Sequence, residues 1–139
     1  MGFEIRRRER EGITILDLDG RLVLGESASM ARNGLQEAIA GGARQIVANL
    51  ADVEFIDSTG LGTLVMAATS VKKAGGVLKL LNLNRRNVEL MIVTKLTTVF
   101  ELFNDETDAV NSFYPDRQIK KFDILDFVKG NKRTSEGSA

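Results

Sequence analysis

The stretch QIVANLADVEFIDSTGLGTLVMAATSVKKAGGVLKLLNL, residues 45–83, decides the fold. Residues 45–50 read as a short strand, with Ile46, Ala48 and Leu50 on one side. A loop then leads through Asp57-Ser58 into a helix over 59–74. Its apolar stripe is Leu61, Leu64, Val65, Ala68 and Val71, spaced at the helical period. Gly75-Gly76 ends that helix, and 77–83 is nearly all apolar, as in a strand covered on both faces. Strand, helix and strand in this order make a βαβ unit, which needs parallel neighbours and a right-handed crossover.

The flanks extend the pattern in both directions. Residues 3–8 and 13–19 read as two strands. Ile13 and Ile15 alternate with Thr14, and Leu16 and Leu18 continue in the other phase. Glu11-Gly12 between them suits a tight hairpin turn. Residues 27–40 read as a helix with Ala28, Ala31, Leu35, Ala38 and Ile39 on one face and Gly41-Gly42 as its stop. Downstream, Asn84 caps a third helix through 95, with Val88, Met91 and Ile92 inward, and 99–102 is a last short strand. Asp105 caps a helix with Ala109, Val110 and Phe113 inward, and Pro115 lies just beyond it. The expected architecture is a single α/β domain, a mixed central sheet with flanking helices.

Composition narrows the chemistry. The 139 residues fit one domain, and 43% hydrophobic residues fill a core for it. Nineteen basic and nineteen acidic residues cancel, so no overall field draws the chain to nucleic acid or an anionic membrane. Without cysteine there is no disulfide, thiolate nucleophile or Cys-ligated zinc. Without histidine the commonest general base and metal ligand is missing. No metal site or cofactor is expected. No apolar run reaches the length of a membrane span, and the N-terminus, with Glu4 and Arg6-Arg7-Arg8, lacks an apolar signal core. A cytoplasmic location is expected.

Within that frame, Asp57-Ser58-Thr59-Gly60-Leu61-Gly62 is the most unusual segment. It sits at the carboxyl end of a strand, the edge that α/β sheets use for binding. It is not a dinucleotide fingerprint, because the third glycine is absent, and no Gly-Lys-Ser/Thr closes a phosphate loop anywhere. Nor is it a nucleophile elbow, since Gly-x-Ser-x-Gly is missing and no histidine is present to serve Ser58. Helix capping by Asp57 or Ser58 accounts for part of it. Capping does not account for Gly60 and Gly62, which cost about 1 kcal/mol each in a helix against alanine. Glycines there let a second chain or a ligand approach the backbone beside Ser58.

This six-residue segment resembles the signature of the STAS domain, as found in bacterial anti-sigma factor antagonists. The resemblance runs over about 3–113 and includes the Gly20-Arg21-Leu22 turn after the second strand. It also includes Val99-Phe100-Glu101-Leu102 followed by an acidic cap and Ala109. It implies a STAS-like single domain over 1–114, with a phosphorylation site at Ser58 and partner contacts at Gly20, Arg21, Leu22, Asp57, Ser58, Thr59, Gly60, Leu61 and Gly62. The implied partners are an anti-sigma factor that is also a serine kinase, bound when Ser58 is unmodified, and a PP2C-type phosphatase that resets the cycle. The implied role is non-enzymatic regulation of transcription. The alternative is a STAS scaffold or accessory subunit, stressosome-like or in a lipid-transport complex, without a phospho-switch. One position departs from the pattern: Val23 follows Leu22 where many antagonists carry an acidic residue, and the nearest carboxylate is Glu26.

Three features fall outside that segment. Arg6, Arg7, Arg8 and Arg10 cluster near the N-terminus, as a solvated strand end or a basic docking patch. Arg85-Arg86 opens the third helix at its positive end, against the dipole preference; the sequence offers no structural account of it, and partner contact is the alternative. Residues 115–130 form an extension in which Asp123 caps a short helix, Phe122, Leu125 and Val128 share a face, and Gly130 is the stop. The extension either packs back on the domain or serves docking. Residues 131–139 are expected to be a disordered tail.

Overall fold

The computed structural model describes residues 2–128. β1 (Glu4–Arg10) and β2 (Ile13–Leu22) form an antiparallel hairpin. Glu11 and Gly12 make its turn at φ 53° and 86°, the left-handed pair that matches the twist of the flanking strands. The chain then alternates through α1 (Glu26–Ala40), β3 (Gln45–Ile56), α2 (Ser58–Lys73), β4 (Val77–Leu81), α3 (Arg85–Val93), β5 (Leu102–Phe103) and α4 (Glu106–Asn111). The sheet order is β1-β2-β3-β4-β5, parallel from β2 onward, which is the mixed sheet with flanking helices that the sequence predicts.

The phase change along β2 reflects burial on two faces. Ile13 and Ile15 join Val47, Leu81 and Phe103 under Ala109 and Val110 of α4. Leu16 and Leu18 face the opposite way, into a cluster with Leu35 of α1, Leu61 and Leu64 of α2, and Val88 and Met91 of α3. Three crossover helices thus cover one face, and the short α4 covers part of the other. Beyond α4 that second face turns polar: Asn49 Nδ2 donates to Asp17 Oδ1 at 2.8 Å.

Ion pairs dock α4. Arg8 reaches Asp17 at 2.6 Å and Glu106 at 2.6 Å, and Arg10 reaches Glu106 at 2.9 Å. The Arg8 guanidinium holds both carboxyls below their ordinary range, helped by Asn49 at Asp17 and by Arg10 at Glu106. Two of the four N-terminal arginines therefore serve the fold.

Several boundaries differ from the sequence reading. β3 runs to Ile56, well past residue 50, because its ladder with β2 resumes after irregularities at Asp17/Asp19 and Gly20/Arg21 and ends with Leu22 opposite Ile56. β4 stops at Leu81, two residues before 83, where Asn82 turns left-handed at φ 62°. α3 ends at Val93, before 95, because Lys95 adopts φ 63° and a 3₁₀ turn follows over Leu96–Thr98. The last strand is Leu102–Phe103 in place of 99–102, since the Val99 and Phe100 amides still donate back to Leu96.

The extension packs back on the domain. A helical turn over 124–128 follows Asp123, whose Oδ1 accepts from the Asp126 amide at 3.0 Å. Phe122, Ile124, Phe127 and Val128 lie against the main core, with Phe122 and Phe127 edge to face at 5.2 Å. Leu125 does not share that face: it is 66% exposed. The turn starts only after Asp123, so Ile124, Phe127 and Val128 take the inward i, i+3, i+4 positions. Gly130 and the tail over 131–139 lie outside the described residues. Among the described residues, no helix is long and apolar enough to cross a membrane.

Candidate functional site

The segment 57–62 forms the junction between β3 and α2. Asp57 is the N-cap, with extended backbone (φ −93°, ψ −176°). Its Oδ1 accepts from the Gly60 amide at 2.8 Å, the bond that an N-cap acid makes to the first turn. Its Oδ2 accepts from the Leu24 amide at 3.0 Å, which ties the β2–α1 loop to α2. The Asp57 amide in turn donates to the Leu22 carbonyl at 3.2 Å. The backbone donors of Gly60 and Leu24 hold the Asp57 carboxyl below its ordinary range.

Asp57 therefore does the capping, and Ser58 does not. Ser58 is exposed at the first position of α2, and its hydroxyl makes no hydrogen bond to a described residue. A neutral hydroxyl is presented to solvent at the positive end of a 16-residue helix.

The two glycines separate. Gly60 is buried, and a Cβ there would stand 2.1 Å from the Leu22 carbonyl oxygen. Its lack of a side chain lets the first turn of α2 close on the end of β2. Gly62 is exposed and a Cβ there would meet nothing within 4 Å. The reason for Gly60 is internal, whereas no contact within the described chain requires Gly62.

The same division sorts the other candidate residues. Leu22 is fully buried and Leu61 nearly so, so both hold the site from below. Gly20 lies in β2 at φ 123°, 3.3 Å from Phe3 for any added Cβ, and is half-buried. Thr59 is half-buried, with its carbonyl accepting from Thr63 Oγ1 at 3.0 Å. The side chains that meet solvent are Ser58 and Arg21, with open backbone at Gly62.

Leu24 belongs with them and escaped the sequence reading. It is 74% exposed on the loop whose amide is held by Asp57. The available signal was an apolar residue in a glycine-bounded loop, outside any strand or helix period. Among the described residues, no group of three or more acidic side chains is placed to hold a metal ion. The carboxylate beside Ser58, Asp57, has both of its oxygens engaged by the Gly60 and Leu24 amides.

The comparisons agree with this architecture. A family model for the STAS domain matches residues 4–109, and the chain belongs to that family. A 53-residue segment is 45% identical to the anti-sigma-B factor antagonist of Bacillus subtilis (strain 168), covering 38% of this chain and 49% of that protein. This match spans about half the length of that relative. The anti-sigma F factor antagonist of Paenibacillus polymyxa is 25% identical over 111 residues, 79% of this chain and 94% of its own length. The crystal structure of an anti-sigma factor antagonist from Mycobacterium paratuberculosis shares the fold, with a TM-score of 0.69 at 19% identity over 80% of this chain and 93% of that one.

Proposed function

We propose that this protein is an anti-sigma factor antagonist that regulates transcription through phosphorylation of Ser58. In this reading the unmodified domain binds an anti-sigma factor that is also a serine kinase. Phosphorylation ends the complex, and a PP2C-type phosphatase restores it. The domain has no catalysis of its own. The observation that carries the reading is the free, exposed Ser58 hydroxyl at the start of α2, with the capping task taken by Asp57. The names of the two curated relatives support the choice of partner.

The switch works by charge. Bound to the kinase, the Ser58 oxygen attacks the terminal phosphorus of ATP, ADP leaves, and the hydroxyl proton passes to a base of the kinase. The new group brings about −1.5 to −2 charges. Within the domain it sits at a helix N-terminus, where negative charge is favourable by about 0.3–1 kcal/mol. At an interface it must be desolvated beside the Asp57 carboxylate, which is costly. Binding therefore falls while the fold persists.

The test is site mapping. The purified full chain is incubated with its cognate kinase and ATP and analysed by mass spectrometry. One phosphate at Ser58 is expected, and none on a Ser58→Ala variant. Modification elsewhere with Ser58 untouched refutes the assignment.

A further inference from the structure

Arg85-Arg86, which the fold does not require, resolves into two different roles. Arg85 Nε lies 3.3 Å from Glu89 Oε2, an i,i+4 pair along α3. Arg86 instead lies over the ring of Phe55, 5.1 Å from its centroid. Arg21 lies over the same ring at 5.3 Å. The ladder explains the meeting, since Arg21 is the β2 partner of Phe55 near the end of β3.

Both guanidiniums are exposed, and among the described residues neither forms an ion pair. Asp19, Asp52 and Glu54 lie on the same β2–β3 ribbon, yet none comes within the 4.0 Å of an ion pair. A guanidinium held over a ring without an ion-pair partner keeps N–H donors available, and its planar fork matches the two oxygens of a carboxylate. The N-terminus of α3 adds positive potential beneath Arg86. Two like charges share one ring beside a helix N-terminus, and although Arg21 lines a cavity with Asp19, Glu26, Asp52 and Glu54, no carboxylate of the described chain pairs with either guanidinium. Phe55 precedes Ser58 by three residues, at the same edge of the sheet.

We propose that Arg21, Phe55 and Arg86 form a docking cleat for an acidic segment of the protein that binds at Ser58, with the two guanidiniums gripping its carboxylates. This rests on the reading of Ser58 as the partner-facing acceptor, and it gives the partner surface a chemistry. The cleat would select among kinases that share the same phosphorylation chemistry, because a basic surface in that place would be repelled.

The probe is a capped hexaglutamate peptide, titrated at low ionic strength into the full chain labelled with ¹⁵N. Saturable shifts are expected at the Arg21 and Arg86 Nε–H signals and at backbone amides around Phe55, with Arg6 and Arg7 on β1 unmoved. Arg21→Ala with Arg86→Ala should weaken binding by about ten-fold or more at an unchanged melting temperature. The double lysine variant should recover part of the affinity, since it keeps charge and loses the planar fork. Shifts spread over all exposed arginines, or none at the cleat, overturn the proposal. So does tighter binding of a ten-nucleotide single-stranded RNA at the same signals, which would mark a phosphate reader. The titration contains no kinase, so its failure leaves the Ser58 assignment standing. Failure of Ser58 phosphorylation likewise leaves the titration result unchanged.

Discussion

The N-termini of α2 and α3 leave the same edge of the sheet and are capped alike. Asp57 Oδ1 accepts from the amide of Gly60, and Asn84 Oδ1 accepts from the amide of Asn87, both at 2.8 Å. After the caps they diverge. α2 continues with Ser58, Thr59 and a buried glycine pressed on the Leu22 carbonyl, with no charge in the first turn. α3 continues with two arginines, one paired along the helix and one lying over the ring of Phe55. The dipole of α2 is left open to incoming negative charge at a small hydroxyl, whereas the field of α3 is reinforced by side chains already in place. A helix end with an uncharged first turn and an exposed hydroxyl, and an arginine-bearing helix end, thus sit side by side on one scaffold.

The largest effect expected from breaking this comparison is at Gly60. A Cβ 2.1 Å from backbone oxygen cannot be absorbed by a rotamer change, so α2 must shift from β2. Gly60→Ala should cost about 2–4 kcal/mol in thermal or denaturant unfolding. A near-neutral result would mean that the α2 junction is looser than described. Next comes the α3 cap. Asn84→Ala removes the bond to Asn87 and the Nδ2 contacts to the Val53 and Glu54 carbonyls. A loss of about 1 kcal/mol is expected by the same measurement.

Gly62 should respond in the opposite direction. With open space around it, Gly62→Ala should stabilise the domain by about 0.5–1 kcal/mol through helix propensity alone, while weakening the partner complex. Destabilisation instead would show an internal need for this glycine. The subtlest difference is in acid. The α2 cap titrates and the α3 cap does not. Because the folded Asp57 carboxyl lies below its ordinary 3.8, its capping contribution is complete above that value and fades as pH falls through the lowered one. Amide shifts of Gly60 and Leu24 should therefore titrate with a midpoint below 3.8, while Asn87 stays flat. A midpoint above 3.8 would contradict the bonding described for Asp57.

Much of this was legible in the chain. Periodicity carried the strands and helices, because each buried face repeats on a fixed spacing, and the Asp57–Gly62 segment stood out by its glycines. What periodicity misses is set by contacts distant in sequence. β3 extends to Ile56 because β2 pairs with it past an irregularity; Ala51, Val53 and Phe55 do alternate with Asp52 and Glu54, a signal that the reading of 45–50 as a short strand leaves unused. Gly60 and Gly62 look equivalent in sequence, and only the approach of the Leu22 carbonyl separates them. Arg21, Phe55 and Arg86 lie on three different elements, so no local motif reveals that two of them share the ring of the third.

The central claim is that Ser58 gates binding without altering the fold. Its most direct test is calorimetric titration of the full chain, unmodified and phosphorylated at Ser58, into the purified anti-sigma factor kinase, with melting curves for both forms. The unmodified chain should bind, the phosphorylated chain should bind about 10²-fold more weakly or worse, and the two melting temperatures should agree closely. Equal affinities, or a loss of binding that tracks unfolding of the phosphorylated domain, would contradict it.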